Sequence, residues 1–178
     1  MVSNELTALK SLSSYLITFP FSLSECTSRI VSLKEESEVS CLAVSLNFCL
    51  FAGAIGSFVK VYSYDQHNFI FSYSHGSIVN SLAFSPDNKL IASGSSDKSI
   101  KVFNIFKKSL EHEFTGHTNA VQSFMFNRSS HLIGSGSSDN IIIVWNLYSK
   151  SIEFQLKGHN SGINVVCFDK DSQYIASA

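Results

Sequence analysis

From residue 39 onward the chain is written in short apolar runs separated by clusters of Ser, Asn, Asp and Gly. "VNSLAF" at 79–84, "VQSFMF" at 121–126 and "INVVCF" at 163–168 each begin and end apolar, with small or polar residues between. The first two are followed by "LIASGS" and "LIGSGS", then a Ser-Ser-Asp turn, then "SIKVF" and "IIIVW". β-branched and aromatic residues dominate the runs, and turn residues interrupt them at intervals of roughly 8–12 positions. No sustained i, i+3, i+4 apolar stripe occurs, so the pattern predicts strands and not helices.

The runs also repeat as larger units. His75, His117 and His159 are spaced by 42 residues, and residues 79–104 and 121–146 are identical at 13 of 26 positions. A more decayed copy at 38–64 is offset by 41, and a fourth opens at "GHNSGINVVCFDKDSQYIASA". Four short strands in roughly 42 residues is the pattern of one β-propeller blade.

Three elements recur in register: "GH" at 116–117, "SGSSD" at 135–139 and "VWN" at 144–146. Together they resemble the WD-repeat family over residues 33–178. Asn146, and Asn104 one copy earlier, stand where the family's Trp-Asp pair has its aspartate. The resemblance implies an all-β fold: a partial WD40-type β-propeller of about three four-stranded blades plus an incomplete fourth. The expected units are 33–74, 75–116, 117–158 and a partial 159–178. Residues 1–32 are expected to be a leader or a decayed blade remnant, with "RIVSLK" at 29–34 resembling the strand that ends a unit. Because the family usually closes seven blades, the chain is expected to be a fragment of a longer propeller.

His117, Ser137 and Asp139 hold the ingredients of nucleophilic hydrolysis, but the trio recurs as His75, Ser95 and Asp97. An active site is not normally duplicated at blade spacing. The resemblance implies a structural hydrogen-bond network instead, in which Asp139 orients His117, the imidazole reaches Ser137, and that hydroxyl receives the Trp145 indole. In the second copy Phe103 replaces the tryptophan and donates nothing, so an indole introduced there is expected to find Ser95. In the first copy the four positions fall on Glu36, Ala54, Gly56 and Tyr62.

By the same resemblance, partner-facing residues lie three and five positions after each histidine and just before the turn aspartate. They are Ile78, Asn80 and Ser96, then Ala120, Gln122 and Ser138, then Gly162 and Asn164. This small, nearly uncharged set fits protein or peptide partners. The function implied is a non-enzymatic scaffold for protein–protein interaction within a multi-protein complex, with no cofactor. The alternatives are a chromatin or nucleic-acid reader and, less supported, an enzyme or cofactor-bearing propeller.

Composition sharpens this picture in a few places. Formal net charge is −1, from 13 Lys+Arg against 14 Asp+Glu, which argues against a nucleic-acid or anionic-membrane footprint. Cys26, Cys41, Cys49 and Cys167 form no C-x-x-C pair, so no metal site is expected. Their apolar neighbours suggest reduced core thiols and an intracellular protein, cytoplasmic or nuclear. The apolar stretch at 11–23 is too short and too rich in Ser and Pro to span a bilayer. His67, His112 and His131 are expected in exposed inter-strand loops.

Overall fold

A computed structural model describes residues 14–19, 29–34, 38–45, 49–63 and 68–178. Two compact units divide the chain, 1–39 and 40–178. In the first, β1 (Ser14–Phe19) and β2 (Arg29–Lys34) form an antiparallel pair with Phe19 opposite Arg29. "RIVSLK" is therefore a strand, as the pattern predicts.

Three four-stranded antiparallel sheets follow, each a meander in chain order. The first comprises β3 (Val39–Val44), β4 (Leu50–Ile55), β5 (Phe58–Ser63) and β6 (Phe69–Ser74). The second comprises β7 (Val79–Phe84), β8 (Leu90–Ser95), β9 (Ser99–Asn104) and β10 (Ser109–Thr115). The third comprises β11 (Val121–Phe126), β12 (Leu132–Ser137), β13 (Ile141–Asn146) and β14 (Ser151–Lys157). A two-stranded sheet, β15 (Val166–Phe168) and β16 (Ile175–Ser177), completes the described chain. The strand expected over 163–168 is paired as a ladder only from Val166, although the Asn164 and Val165 amides donate to the Ala178 carbonyl. All of the regular structure among the described residues is β, and no helix there is long and apolar enough to cross a membrane.

Each sheet is a blade, and the core lies between blades. Val59, Val61, Phe71 and Tyr73 of the first pack against Val79, Leu82, Phe84 and Ile91 of the second. Ile100, Val102 and Phe114 of the second pack against Val121, Phe124, Ile133 and Trp145 of the third. This follows from the period-2 alternation of each strand, which offers an apolar face to both neighbours. Glycine in the second strand allows the close approach. A Cβ on Gly94 would stand 2.7 Å from Val121 Cγ1, and one on Gly136 would stand 2.5 Å from Ile163 Cγ2.

The first blade departs from the others at its central hairpin. Gly56 and Ser57 alone join β4 to β5, with Gly56 at φ 58°, whereas three residues join β8 to β9 and β12 to β13. A left-handed residue in so short a turn favours glycine. The missing residue shifts β4 by one position relative to the sequence alignment. Gly53 opposes Lys60 as Ser93 opposes Lys101, and Ala54 opposes Val59 as Gly94 opposes Ile100. By this register Gly53 matches Ser93 and Ala54 matches Gly94, so Ala54 is not the counterpart of Ser95, and no residue matches Asp97. Glu36 lies outside the described residues.

The cysteines also differ from expectation. Cys41 is half-buried, and burial pushes its thiol up to about 11. Cys49, in the bend before β4, and Cys167, on the outward face of β15, are exposed, so neither is a core thiol. Cys26 lies outside the described residues.

Candidate partner-binding face

The turn between β12 and β13 is built around Asp139. Its carboxylate accepts from the Thr118 amide at 2.8 Å, the Ile141 amide at 3.0 Å and His117 Nδ1 at 2.8 Å. His117 Nε2 lies 2.8 Å from Ser135 Oγ, and Trp145 Nε1 donates to the same oxygen at 2.7 Å. The acceptor is Ser135, not Ser137. In the second blade His75 bonds Asp97 Oδ2 at 2.9 Å and Ser93 Oγ at 2.8 Å, so Ser95 is likewise displaced by Ser93.

The reason is strand geometry. Residues two apart on a strand share a face, so both serines are eligible by sequence. Trp145 sits opposite Ile133, which places its indole within reach of position 135, whereas 137 lies two residues further along. Ser137 is engaged elsewhere: its hydroxyl donates to the Asn119 carbonyl at 3.1 Å and accepts from the Asp139 amide at 3.1 Å. Ser95 does the same with Ser77 and Asp97. The expected serines therefore brace the turn, and their neighbours two positions earlier carry the network. In the fourth unit His159 Nε2 lies 2.8 Å from Ser177 Oγ, the matching pair.

The network has one consistent polarity. Burial holds His117 below the usual imidazole range, against the opposing pull of Asp139, so the ring is neutral at pH 7. A neutral ring donates from Nδ1 to Asp139 and accepts at Nε2 from Ser135, whose oxygen accepts the indole N–H. The Ser135 hydroxyl has a second acceptor in reach, the Ile143 carbonyl at 3.1 Å, so its one proton serves the imidazole or that carbonyl at a time. Ser93 and Ser135 are 0% exposed, so neither hydroxyl is open to a substrate carbonyl.

Acid should weaken these blades in two stages. Burial lowers His75 and His117 below their unfolded value of 6.5, so the unfolded chain binds more protons as pH falls below that value. Burial works to raise Asp97, but hydrogen bonds from Ser99 and Gly76 outweigh it and hold the carboxyl down to about 2. Asp139 is held low by the Thr118 and His117 bonds, again against burial. Their contribution is present above 3.8 and lost as pH falls through the folded values. Melting temperature followed from pH 7.5 downward should fall first below about 6.5 and again below about 3.8. A flat profile across the first interval would contradict neutral buried histidines.

The second blade replaces the indole in an unexpected way. Tyr73 of the first blade stacks on Phe103 with ring centroids 3.8 Å apart, whereas the matching pair in the next junction is Phe114 and Trp145, at 5.1 Å. The polar atom has moved from one ring of the pair to the other. The Tyr73 hydroxyl is buried beside Ser93, finds no hydrogen-bond partner of good geometry, and is raised by that burial. Phe103→Trp alone therefore meets an occupied site and should cost about 1–2 kcal/mol by overpacking. Combined with Tyr73→Phe it should recover at least about 1 kcal/mol, because the pair then matches Phe114 and Trp145. A double-mutant cycle on urea melts measures the coupling, and additivity would exclude the exchange.

Above this network the eight partner-facing candidates gather at the turn ends of the strands. Asn80 Nδ2 donates to Ser96 Oγ at 3.0 Å and to the Val121 carbonyl of the next blade at 2.9 Å. Gln122 Nε2 donates to Ser138 Oγ at 2.8 Å. Backbone bonds tie Ser96 to Ile78 and Ser138 to Ala120, and Gly162 abuts Ser138. Ile78 and Asn164 are exposed, while the other six are half-buried. Among the described residues no three His, Cys, Asp or Glu side chains converge as metal ligands would.

Comparison with known proteins agrees with this architecture. The family profile described as "WD domain, G-beta repeat" matches residues 67–104, 108–146 and 150–178. Autophagy-related protein 18 of Eremothecium gossypii is 28% identical over 105 residues, which is 56% of this chain and 20% of that protein. WD repeat-containing protein SL1-17 of Schistosoma mansoni is 41% identical over 56 residues, 32% of this chain and 19% of that protein. Among solved structures, the RRP9 WD40 repeats superpose with a TM-score of 0.70 and 26% identity, covering 74% of this chain and 42% of that one. U3-55K gives the same TM-score and identity over 74% of this chain and 43% of that one. The chain thus spans about a fifth of the curated relatives it matches.

Proposed function

The chain belongs to the WD domain, G-beta repeat family, and from that premise we propose that it is a non-catalytic scaffold whose turn-end face holds protein or peptide partners. The family's propeller fold serves in general as a platform for protein interaction, and function in such folds resides on surface positions. The observation that carries the reading is the stitched row of Asn80, Ser96, Gln122 and Ser138, with Asn80 bonded across to the third blade. Hydrogen bonds that fix side chains before a partner arrives reduce the entropy lost on binding. Amides and hydroxyls without net charge suit a peptide backbone better than a phosphate chain. The alternative of a nucleic-acid reader draws no support from a net charge of −1.

The test is affinity capture from lysate with the parent and with Asn80→Arg/Gln122→Arg, followed by mass spectrometry. Proteins retained by the parent should be lost from the variant while its melting temperature is kept. Retention of the same set would place the binding surface elsewhere.

A further inference from the structure

A second surface lies at the opposite ends of the strands, away from the Asp97 and Asp139 turns, and goes beyond the scaffold face proposed above. It begins with one exception to the repeat. Across each outer ladder a valine faces a fixed partner: Val61 faces Phe71, Val102 faces His112, and Val144 faces Phe154. Two blades place phenylalanine there, and the middle blade places histidine. Phe71 is buried against Phe103 and Tyr73. His112, expected in a loop, is instead on β10, edge-on to Phe114 at 4.4 Å.

Beside His112 a cleft of about 480 Å³ opens between the second and third blades. Its apolar wall is Leu90, Val102 and Leu147, and its polar wall includes Lys150, His131 and Tyr148. The two lining carboxylates already have partners. Asp87 accepts from Ser85 and lies 3.5 Å from Lys89, and Glu111 accepts from Lys107 and Asn104, both at 2.9 Å. Lys150 is exposed; its ammonium lies 3.5 Å from the Glu111 carbonyl and its charge acts on both the Glu111 carboxylate and His112. No hydrogen bond engages the His112 ring nitrogens among the described residues.

We propose that this cleft binds an acidic peptide segment, one carboxylate side chain next to an apolar residue. The apolar residue rests on the half-buried Leu90 and Leu147, and the carboxylate meets Lys150 and the imidazole of His112. A singly charged carboxylate fits better than a phosphate, because Asp87 and Glu111 in the same lining repel a second negative charge. The histidine in the phenylalanine position adds an imidazole to a lining that already holds Lys150, His131 and Tyr148.

The test uses the full chain and N-acetyl-leucyl-glutamate amide, followed through the imidazole signals of His112 and His131 by NMR. Saturable shifts with a Kd of about 1 mM are expected for so small a probe. The leucyl-glutamine counterpart should bind about tenfold more weakly, as loss of a charge-assisted bond requires. Lys150→Ala should weaken glutamate binding by about fivefold. His112→Phe should remove binding while keeping or raising the melting temperature, since the flanking blades already carry phenylalanine there. Absent shifts, equal binding of the glutamine probe, or undiminished binding by the phenylalanine variant would overturn the proposal. Tighter binding of the leucyl-phosphoserine amide would overturn the choice of carboxylate.

Discussion

Ser135→Ala should destabilise the protein by about 3 kcal/mol, at least twice the loss from Ser137→Ala. Removing the Ser135 hydroxyl leaves Trp145 Nε1 and His117 Nε2 without partners in a site that water does not reach, since Trp145 is 2% and His117 6% exposed. Each buried group left unpaired costs about 1–3 kcal/mol. Ser137→Ala removes a brace on the turn but leaves Asp139, His117 and Trp145 connected, so about 1 kcal/mol is expected. Urea melts followed by Trp145 fluorescence make the comparison, because this indole is the only one in the chain. An equal or larger loss at Ser137 would mean that the indole and imidazole do not share Ser135.

The second large effect is steric. Gly94→Val should cost about 3 kcal/mol or more, because it drives branched carbons into Val121 and Phe124 across the junction of the second and third blades. Val121 is 0% exposed and cannot swing into solvent. The first blade carries Ala54 at the matching position, so one methyl can be housed when the facing residues differ; the test therefore uses valine. Gly94→Val/Val121→Ala should regain at least about 1 kcal/mol if the collision is the cause. Gly56→Ala is the contrast. Nothing lies within 4 Å of a Cβ there, and its cost, about 1 kcal/mol, comes from the left-handed backbone. Should Gly94→Val melt no lower than Gly56→Ala, the blades are not in the contact described.

Residue 112 shows how much a repeat can conceal. By spacing alone it is one more polar residue in a polar stretch, "KKSLEHEF". Only when β10 is paired with β9 does it fall opposite Val102, in line with Phe71 and Phe154. Tyr73 and Phe103 are similar. Each reads as an ordinary aromatic of its own unit, and their exchange of the polar atom is visible only where adjacent blades meet.

The strands themselves were legible residue by residue. Val79–Phe84, Leu90–Ser95, Val121–Phe126 and Leu132–Ser137 are the runs that alternation and turn residues delimit. The recurring His and Asp were legible too, because local turn chemistry confines them to one place in each unit. Two kinds of information were not. Which of two serines on the same strand face meets the imidazole depends on how far an indole on the neighbouring strand extends, and that is a distance across the sheet. The one-residue shortening at Gly56 moved the first blade's β4 out of step, because register is settled by inter-strand hydrogen bonds and not by counting along the chain. By itself the sequence determined the blades, since side-chain period and turn preference act between near neighbours. Only the tertiary structure decided which serines carry the network, which phenylalanine position became a histidine-walled cleft, and which ring supplies a buried polar atom. Those are contacts between residues on different strands and blades, where close packing selects one arrangement from several that the local pattern allows equally.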